Sequence, residues 1–177
     1  KYDMKINSKT AIRMYNQGKS LANVDLCGED LSNTKLKKID LKSAKLEKVN
    51  FSGSDLSESK INGMHSNLSG ANLSGANLKK SNLSFSCMVN ANLSNANLSN
   101  ANLTSTDFTC AKLINSNLEN ANLKNANLLN ADLSQANLLN VNLDLAYMRD
   151  AKISTEQLKL VKSYTNATLP NGKKNKE

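Results

Sequence analysis

The chain has 177 residues, a formal net charge of +8, three cysteines, one histidine and no tryptophan. This length predicts a single domain, and the few cysteines and histidine, at no ligand spacing, predict neither a zinc site nor a disulfide framework. No apolar run reaches the ~18 residues that a membrane helix needs, so we expect no integral membrane segment.

Residues 1–20 precede the regular part of the sequence. Ser8 is placed to cap a short helix, and Gly18 is placed to end it. The apolar residues of this helix are Ala11, Ile12, Met14 and Tyr15. The segment is predicted to be an N-terminal cap, with a disordered leader as the alternative. Since the chain begins at Lys1, we expect that a signal or a further domain could precede it.

Residues 21–153 carry an apolar residue at every fifth position, with one interruption. From Leu68 to Ile153 this central position occurs eighteen times, and Ala stands two residues earlier in twelve of them. Five residues advance an α-helix by about 500°, so no apolar face can form. In a continuous strand an odd period would send successive leucines to opposite faces. The chain must therefore turn at every repeat.

Four such turns close a square coil of twenty residues, and stacked coils bond backbone to backbone about 4.8 Å apart. Charges twenty residues apart support this register, because they have opposite signs. The pairs are Asp25–Lys45, Lys35–Asp55, Lys38–Glu58, Asp40–Lys60, Lys112–Asp132, Asp132–Lys152 and Lys124–Asp144. We predict an all-β fold, a quadrilateral parallel β-helix of about six to seven coils over residues 21–153.

Two places depart from the pattern. Glu29 stands at an inward position, where a carboxylate without a partner is costly. Either the first coil is open at that corner or the local register bends outward. Between Ile61 and Leu68 the step is seven instead of five, which predicts a two-residue bulge near residues 62–65, with Gly63 at positive φ.

The pattern changes again after Ile153. Ser154 followed by Gln157 is a capping-box signature, and Leu158 and Val161 give a short helix one apolar side. Residues 154–172 are predicted to be a helical C-terminal cap over the last coil. Residues 173–177 are predicted to be a disordered tail.

The tandem units, such as Ala71-Asn72-Leu73 and Ala136-Asn137-Leu138, resemble the pentapeptide-repeat family over about residues 21–153. The resemblance implies a right-handed quadrilateral β-helix. Known members include secreted effectors, cyanobacterial regulators and proteins that protect type II DNA topoisomerases by resembling duplex DNA in width, length and negative charge. Family membership alone does not assign a role.

The sequence contains no Gly-rich phosphate loop and no cluster of His and carboxylates, so we expect no catalysis, no cofactor and no metal. The main hypothesis is a bacterial interaction scaffold, regulatory or secreted, which binds a protein partner or a second copy of itself. The alternative is a DNA mimic that binds gyrase and confers quinolone protection, although the chain is basic. Nucleic acid is not an expected partner because Arg13 and Arg149 are the only arginines. Three reduced cysteines favour the cytoplasm, with secretion into a host as the other expectation.

One side of the predicted coil departs most from the consensus. Its central residues are Leu68, Met88, Phe108, Leu128 and Met148, and its outward residues include Cys87, Val89, Asp107, Leu129, Tyr147 and Arg149. We interpret these six as a candidate partner or dimer face, with sequence drift as the alternative. Outward Phe85, Ile114, Leu139 and Leu145 are interpreted as scattered, and His65 as an exposed corner residue.

Overall fold

A computed structural model describes residues 4–176 of the chain. Its regular elements are β1 (Met4–Lys5), α1 (Ser8–Asn16), β2 (Val24–Asp25) and α2 (Thr155–Leu158). Strands β1 and β2 pair in parallel, with Met4 opposite Val24. Most of the remaining described chain consists of short turns joined by single parallel bridges, which stack successive coils; the bridge between Thr168 and Lys174 is antiparallel.

The bridges form four columns, which we call walls 1 to 4. The outward residues of wall 1 are Asp25, Lys45, Asn67, Cys87, Asp107, Asn127 and Tyr147. Those of wall 2 are Asp30, Asn50, Asn72, Asn92, Lys112, Asp132 and Lys152. Those of wall 3 are Lys35, Asp55, Asn77, Asn97, Asn117 and Asn137. Those of wall 4 are Asp40, Lys60, Asn82, Asn102, Asn122 and Asn142. A four-sided parallel β-helix is the architecture that these columns define.

Each side of a coil is too short to form a conventional strand, because the chain turns after every central residue. The turn from Leu93 to Ala96 is typical: the Ala96 N–H donates to the Leu93 carbonyl at 3.0 Å, and Asn95 has φ 60°. Positive φ at the third residue is what a type II turn requires, and Asn adopts it more readily than most residues. The predicted β-fold is therefore built from bridges instead of long strands.

The central leucines and the alanines two residues before them fill the interior. Leu68 to Met148 at the central positions are all fully buried, and the inward alanines are 6% exposed or less. Burying each leucine contributes roughly 1.5–3 kcal/mol. One continuous apolar core runs through the stack and holds the coils together.

The two extra residues lie at the corner between walls 4 and 1. Bridges join residues twenty apart on either side of this point but twenty-two apart across it, as in Lys45–Asn67 and Lys60–Asn82. Gly63 has φ 123°, and Ser66 Oγ donates to the Asn62 carbonyl at 3.0 Å. The ladder continues through the insertion.

At the N-terminal end the helix begins one residue earlier than the sequence predicts. The N-cap of α1 is Asn7, not Ser8, because Asn7 Oδ1 accepts the Thr10 N–H at 2.8 Å. Ile6 is buried, and its N–H donates to the Asp25 carbonyl at 3.0 Å, so the stack starts before α1. Residues 1–3 lie outside the described part of the chain.

Glu29 neither opens the first coil nor shifts its register. Its carboxylate accepts the Ser8 N–H at 2.7 Å, and its own N–H still donates to the Leu26 carbonyl at 3.0 Å. The first N–H groups of a helix lack partners within the helix and carry partial positive charge. The start of α1 thus supplies the partner that this half-buried carboxylate needs.

The C-terminal end is more ordered than predicted. The capping box of Ser154 and Gln157 is confirmed, and Gln157 Nε2 also donates to the carbonyls of Leu133 and Ala136. The expected disordered tail is wrong for Lys173–Asn175, because Lys174 pairs antiparallel with Thr168. The Asn175 N–H donates to the Ala167 carbonyl at 2.8 Å, and Glu177 lies outside the described residues.

Candidate interaction surface

The six residues of the predicted face lie on wall 1 and on its corner with wall 2. Cys87, Asp107 and Tyr147 belong to the bridge column of wall 1. Val89 and Leu129 lie in the corner column, where their carbonyls accept the N–H groups of the coil below at 2.9 Å. Arg149 lies one coil above Leu129 in the same corner column, where its carbonyl accepts the Asn130 N–H at 3.1 Å. The structure therefore brings the six together on one side of the rod.

The opposite edge of wall 1 is also apolar, which the sequence reading missed. Phe85 and Leu145 occupy the corner between walls 4 and 1, and their side chains are 52% and 45% exposed. Met64, in the insertion at this corner, is 85% exposed. The interpretation of Phe85 and Leu145 as scattered is therefore wrong, because positions 85 and 145 share one column at the twenty-residue step. Apolar side chains thus flank wall 1 on both edges.

Phe85 and Leu145 also occupy backbone positions that suit neither residue. Both have φ 61°, whereas Asn holds this turn position in many repeats, for example Asn95 and Asn125. A bulky residue in the left-handed region is conformationally costly, and so is its exposure to water. Strain of this kind concentrates at functional sites. Left-handed backbone strain and exposed apolar surface therefore occur in the same two residues on the edge of wall 1.

Walls 3 and 4 are different in character. Their outward residues are all asparagine from Asn77 to Asn137 on wall 3 and from Asn82 to Asn142 on wall 4, above which Ser163 ends the ladder of wall 4. Each asparagine accepts the N–H two residues ahead, as Asn97 Oδ1 does from Ser99 at 3.0 Å. Along wall 3, Asn137 Nδ2 donates to Asn117 Oδ1 at 3.1 Å. These walls are regular polar ladders, and the corner between them carries one exposed leucine, Leu139, in its upper part.

The lower part of wall 1 contains a polar cleft of ≈ 460 Å³ beside the insertion. Within it, Glu47 accepts hydrogen bonds from Cys27 Sγ at 2.7 Å and Asn67 Nδ2 at 2.8 Å. Burial, followed by the hydrogen bond to Glu47, raises the pKa of Cys27 to about 12. His65 is exposed at the rim of the cleft. A thiol kept neutral in this way is a hydrogen-bond donor, not a nucleophile.

The described residues do not assemble a metal centre. Between residues 4 and 176 no group of three or more His, Cys, Asp or Glu side chains is placed to hold a metal ion. In the same range the cysteines Cys27, Cys87 and Cys110 are free. No helix in this range is both long enough and apolar enough to cross a bilayer. What wall 1 offers chemically is contact area, with hydrogen-bonding groups among apolar ones.

The four-walled stack of five-residue repeats defines a β-helical repeat protein. The model of the family described as pentapeptide repeats matches eight copies, over residues 30–63, 65–95, 86–125 and 116–154. The chain belongs to the pentapeptide-repeat family. No curated protein matches the sequence significantly.

Solved structures of the family share the fold. A pentapeptide repeat protein of the Arabidopsis thaliana thylakoid lumen is 25% identical, with a TM-score of 0.54, over 73% of this chain and 86% of that one. QnrB1, a plasmid-mediated fluoroquinolone resistance protein, is 17% identical, with a TM-score of 0.54, over 87% of this chain and 76% of that one. HetL, involved in heterocyst differentiation regulation in Nostoc sp. strain PCC 7120, is 25% identical, with a TM-score of 0.49, over 96% of this chain and all of that one.

Proposed function

We propose that this protein is a non-catalytic scaffold that binds another protein, or a second copy of itself, through wall 1 and its two corners. The contact residues are Cys87, Val89, Asp107, Leu129, Tyr147 and Arg149, joined by Phe85 and Leu145. Among the described residues, these positions combine exposed apolar groups with polar ones, which is the composition of many protein interfaces.

The observation that carries this proposal is the asymmetry between the walls. Phe85, Leu145 and Tyr147, at 52%, 45% and 38% exposed, lie on wall 1 or its edge. Within residues 4–176, the corner between walls 3 and 4 carries exposed apolar residues only at its top, at Leu139 and Leu160. The asparagine ladders of walls 3 and 4 show that a regular polar surface is compatible with the same core. Selection for stability alone does not account for bulky apolar groups at left-handed corner positions.

The test is a pair of matched lysine variants. The double variant Val89→Lys with Leu129→Lys places two charges on the edge of wall 1. Other repeats already carry lysine at the equivalent turn position, as Lys79 and Lys124 show. Ser94→Lys with Ser134→Lys does the same at the corner between walls 2 and 3. We expect only the first pair to abolish self-association on a sizing column or capture of a partner in pull-downs. Equal behaviour of the two pairs would contradict the proposal.

The gyrase-directed DNA mimic is the second candidate. The fold likeness to QnrB1 is compatible with it, but a mimic of duplex DNA needs a strongly negative surface. This chain has a net charge of +8. A supercoiling assay with gyrase and a quinolone decides the matter: protection at saturating protein would favour the mimic, and no protection would remove it.

We further infer a right-handed stack of six to seven coils in which α1 and α2 cap the ends. Two observations support this: residues of both end segments pack against the core, as Ile12 and Leu158 do, and Gln157 bonds to carbonyls of the coil below α2. Caps block strand addition at the ends of a β-helix. We place the protein in the bacterial cytoplasm because its three free cysteines suit a reducing compartment.

A further inference from the structure

The corner between walls 3 and 4 carries a concentration of lysines in the lower coils. Lys37 and Lys38 lie in one coil, Ser57 and Glu58 in the next, and Lys79 and Lys80 in the third. The backbone bonds from Lys38 to Ser57 and from Glu58 to Lys79, both at 2.8 Å, stack these coils directly. We call Lys37, Lys38, Lys79 and Lys80 the basic corner.

Lysine is confined to this part of the corner column. The next coils upward carry Ser99-Asn100, Glu119-Asn120 and Leu139-Asn140 at the same positions. The adjoining outward residues of the lower coils add two positive charges, Lys35 and Lys60, and two negative charges, Asp40 and Asp55. With Glu58, the patch holds six lysines against three carboxylates, so its net charge is positive.

The upper and lower lysines of the basic corner are in different states. Glu58 lies 3.1 Å from Lys37 Nζ and 3.6 Å from Lys38 Nζ, so its single negative charge offsets one of these two lysines and leaves the other positive. The pKa of Glu58 is lowered, mainly by the hydrogen bond that it accepts from Lys37. The Glu58 carboxyl is therefore ionised at neutral pH. Lys79 and Lys80 are exposed, and within residues 4–176 neither forms an ion pair with a carboxylate. Both charges of this upper pair are available to a partner, together with the one remaining charge of the lower pair.

We propose that the basic corner docks an acidic segment of a protein partner. The two lysine pairs are two coils apart, about 10 Å, which matches carboxylates at positions i and i+3 of an extended polyproline-type segment. One carboxylate of such a segment lies at Lys37 and Lys38 and the next at Lys79 and Lys80. Glu58 then lies between the two carboxylates. This site is separate from wall 1 and does not depend on it.

A nucleic acid fits this surface less well than an acidic peptide. Duplex DNA carries a charge for every ~1.7 Å of its axis, so it brings phosphates against Glu58 and Asp55 as well as against the lysines. The basic corner also contains no arginine. Its aromatic neighbour Tyr15 is half-buried against the core and donates its hydroxyl to the Lys37 carbonyl at 2.9 Å, so it is a poor platform for base stacking. Spaced carboxylates avoid both disadvantages.

The experiment measures binding of a labelled twelve-residue peptide with Glu at every third position, compared with its Gln counterpart, by fluorescence anisotropy at low and moderate salt. The test variant Lys79→Ser with Lys80→Asn reproduces the Ser99-Asn100 corner one coil above, so the fold tolerates it. The control Lys112→Asn with Lys124→Ser removes the same charge from wall 2 and from the corner between walls 4 and 1. Thermal unfolding checks that both variants remain folded.

We expect the wild type to prefer the Glu peptide, the test variant to bind it roughly tenfold more weakly, and the control to bind normally. Glu58→Gln should strengthen binding because it releases Lys37 and Lys38. Equal affinity for the Gln peptide, or equal losses in both double variants, would overturn the proposal. So would tighter binding of a duplex DNA probe that the test variant abolishes.

Discussion

The carboxylate of Glu29, on the first complete coil, accepts the backbone N–H of Ser8 at 2.7 Å and so binds the start of α1 to the stack. The first turn of α1 contains no acidic residue of its own. A side chain that is distant in sequence therefore provides the negative charge that a helix N-terminus favours. This one contact joins the terminal helix to the repeat.

Removing that contact should destabilise the N-terminal end. Glu29→Ala leaves the Ser8 N–H without its partner, and we expect it to lower the free energy of unfolding by about 1–3 kcal/mol. Glu29→Gln keeps an acceptor and loses only the charge, so its cost should be under about 1 kcal/mol. Urea unfolding followed by circular dichroism measures both. An unchanged midpoint for Glu29→Ala would show that the contact contributes nothing.

Replacing Phe85 and Leu145 should stabilise the protein and weaken its binding to a partner. Replacing both with Asn, the usual residue at their turn position, relieves left-handed strain of about 1 kcal/mol per residue and removes exposed apolar surface. We expect a higher melting temperature together with weaker partner capture or self-association. If the double variant melts lower than the wild type, the strain at φ 61° is not real.

Stability at acid pH should depend on four aspartates. The pKa values of Asp25, Asp30, Asp55 and Asp132 are lowered by hydrogen bonds from the residue two positions ahead. Since their folded pKa lies below the unfolded value near ~4, their stabilisation is complete above that value and is lost as the pH falls through the folded pKa.

The matched variant replaces all four aspartates with Asn. Asn72 and Asn92 accept the same backbone N–H at 3.1 Å, so the turns should survive. We expect the melting temperature of the wild type to fall more steeply between about pH 5 and pH 2 than that of the variant. Parallel curves would show that other groups govern acid unfolding.

The cysteines should differ in reactivity. With a pKa of about 12, Cys27 is scarcely ionised at pH 8, and it donates its proton to Glu47. Cys110 is exposed. We expect iodoacetamide to label Cys110 and to spare Cys27 in the folded protein, as read by mass spectrometry. Glu47→Gln should raise labelling of Cys27 only partly, because burial is the larger cause. Rapid labelling of folded wild-type Cys27 would refute this description, and urea provides the fully labelled control.

The sequence predicts the stack well because its repeat is a direct consequence of geometry. Leu93 and Leu113 are twenty residues apart, and nothing but a four-sided coil buries both on one wall. The sequence predicts the terminal segments less well. Asn7 and Ser8 are both good capping residues, and the choice between them depends on Glu29, which only the folded structure brings near. The segment around Lys174 is ordered by a bridge to Thr168, which the repeat pattern does not predict.

The sequence predicts wall 1 and one of its two edges as the candidate surface. Val89 and Leu129 stand out because they are aliphatic residues in a column whose other upper members are Ser69, Thr109 and Arg149. Phe85 and Leu145 are separated by two ordinary coils, so they resemble isolated exposed residues until the corners are built. The wall that separates the two edges is what makes them a single surface.

Site-specific photo-crosslinking tests the role of wall 1 most directly. A benzophenone amino acid is introduced at Leu129, on the edge of wall 1, or at Ile114, an equally half-buried turn residue at the corner between walls 2 and 3. On irradiation with the partner fraction or at high protein concentration, we predict a crosslinked product from position 129 and none from position 114. Products from position 114 alone, or equally from both, would contradict a partner surface on wall 1.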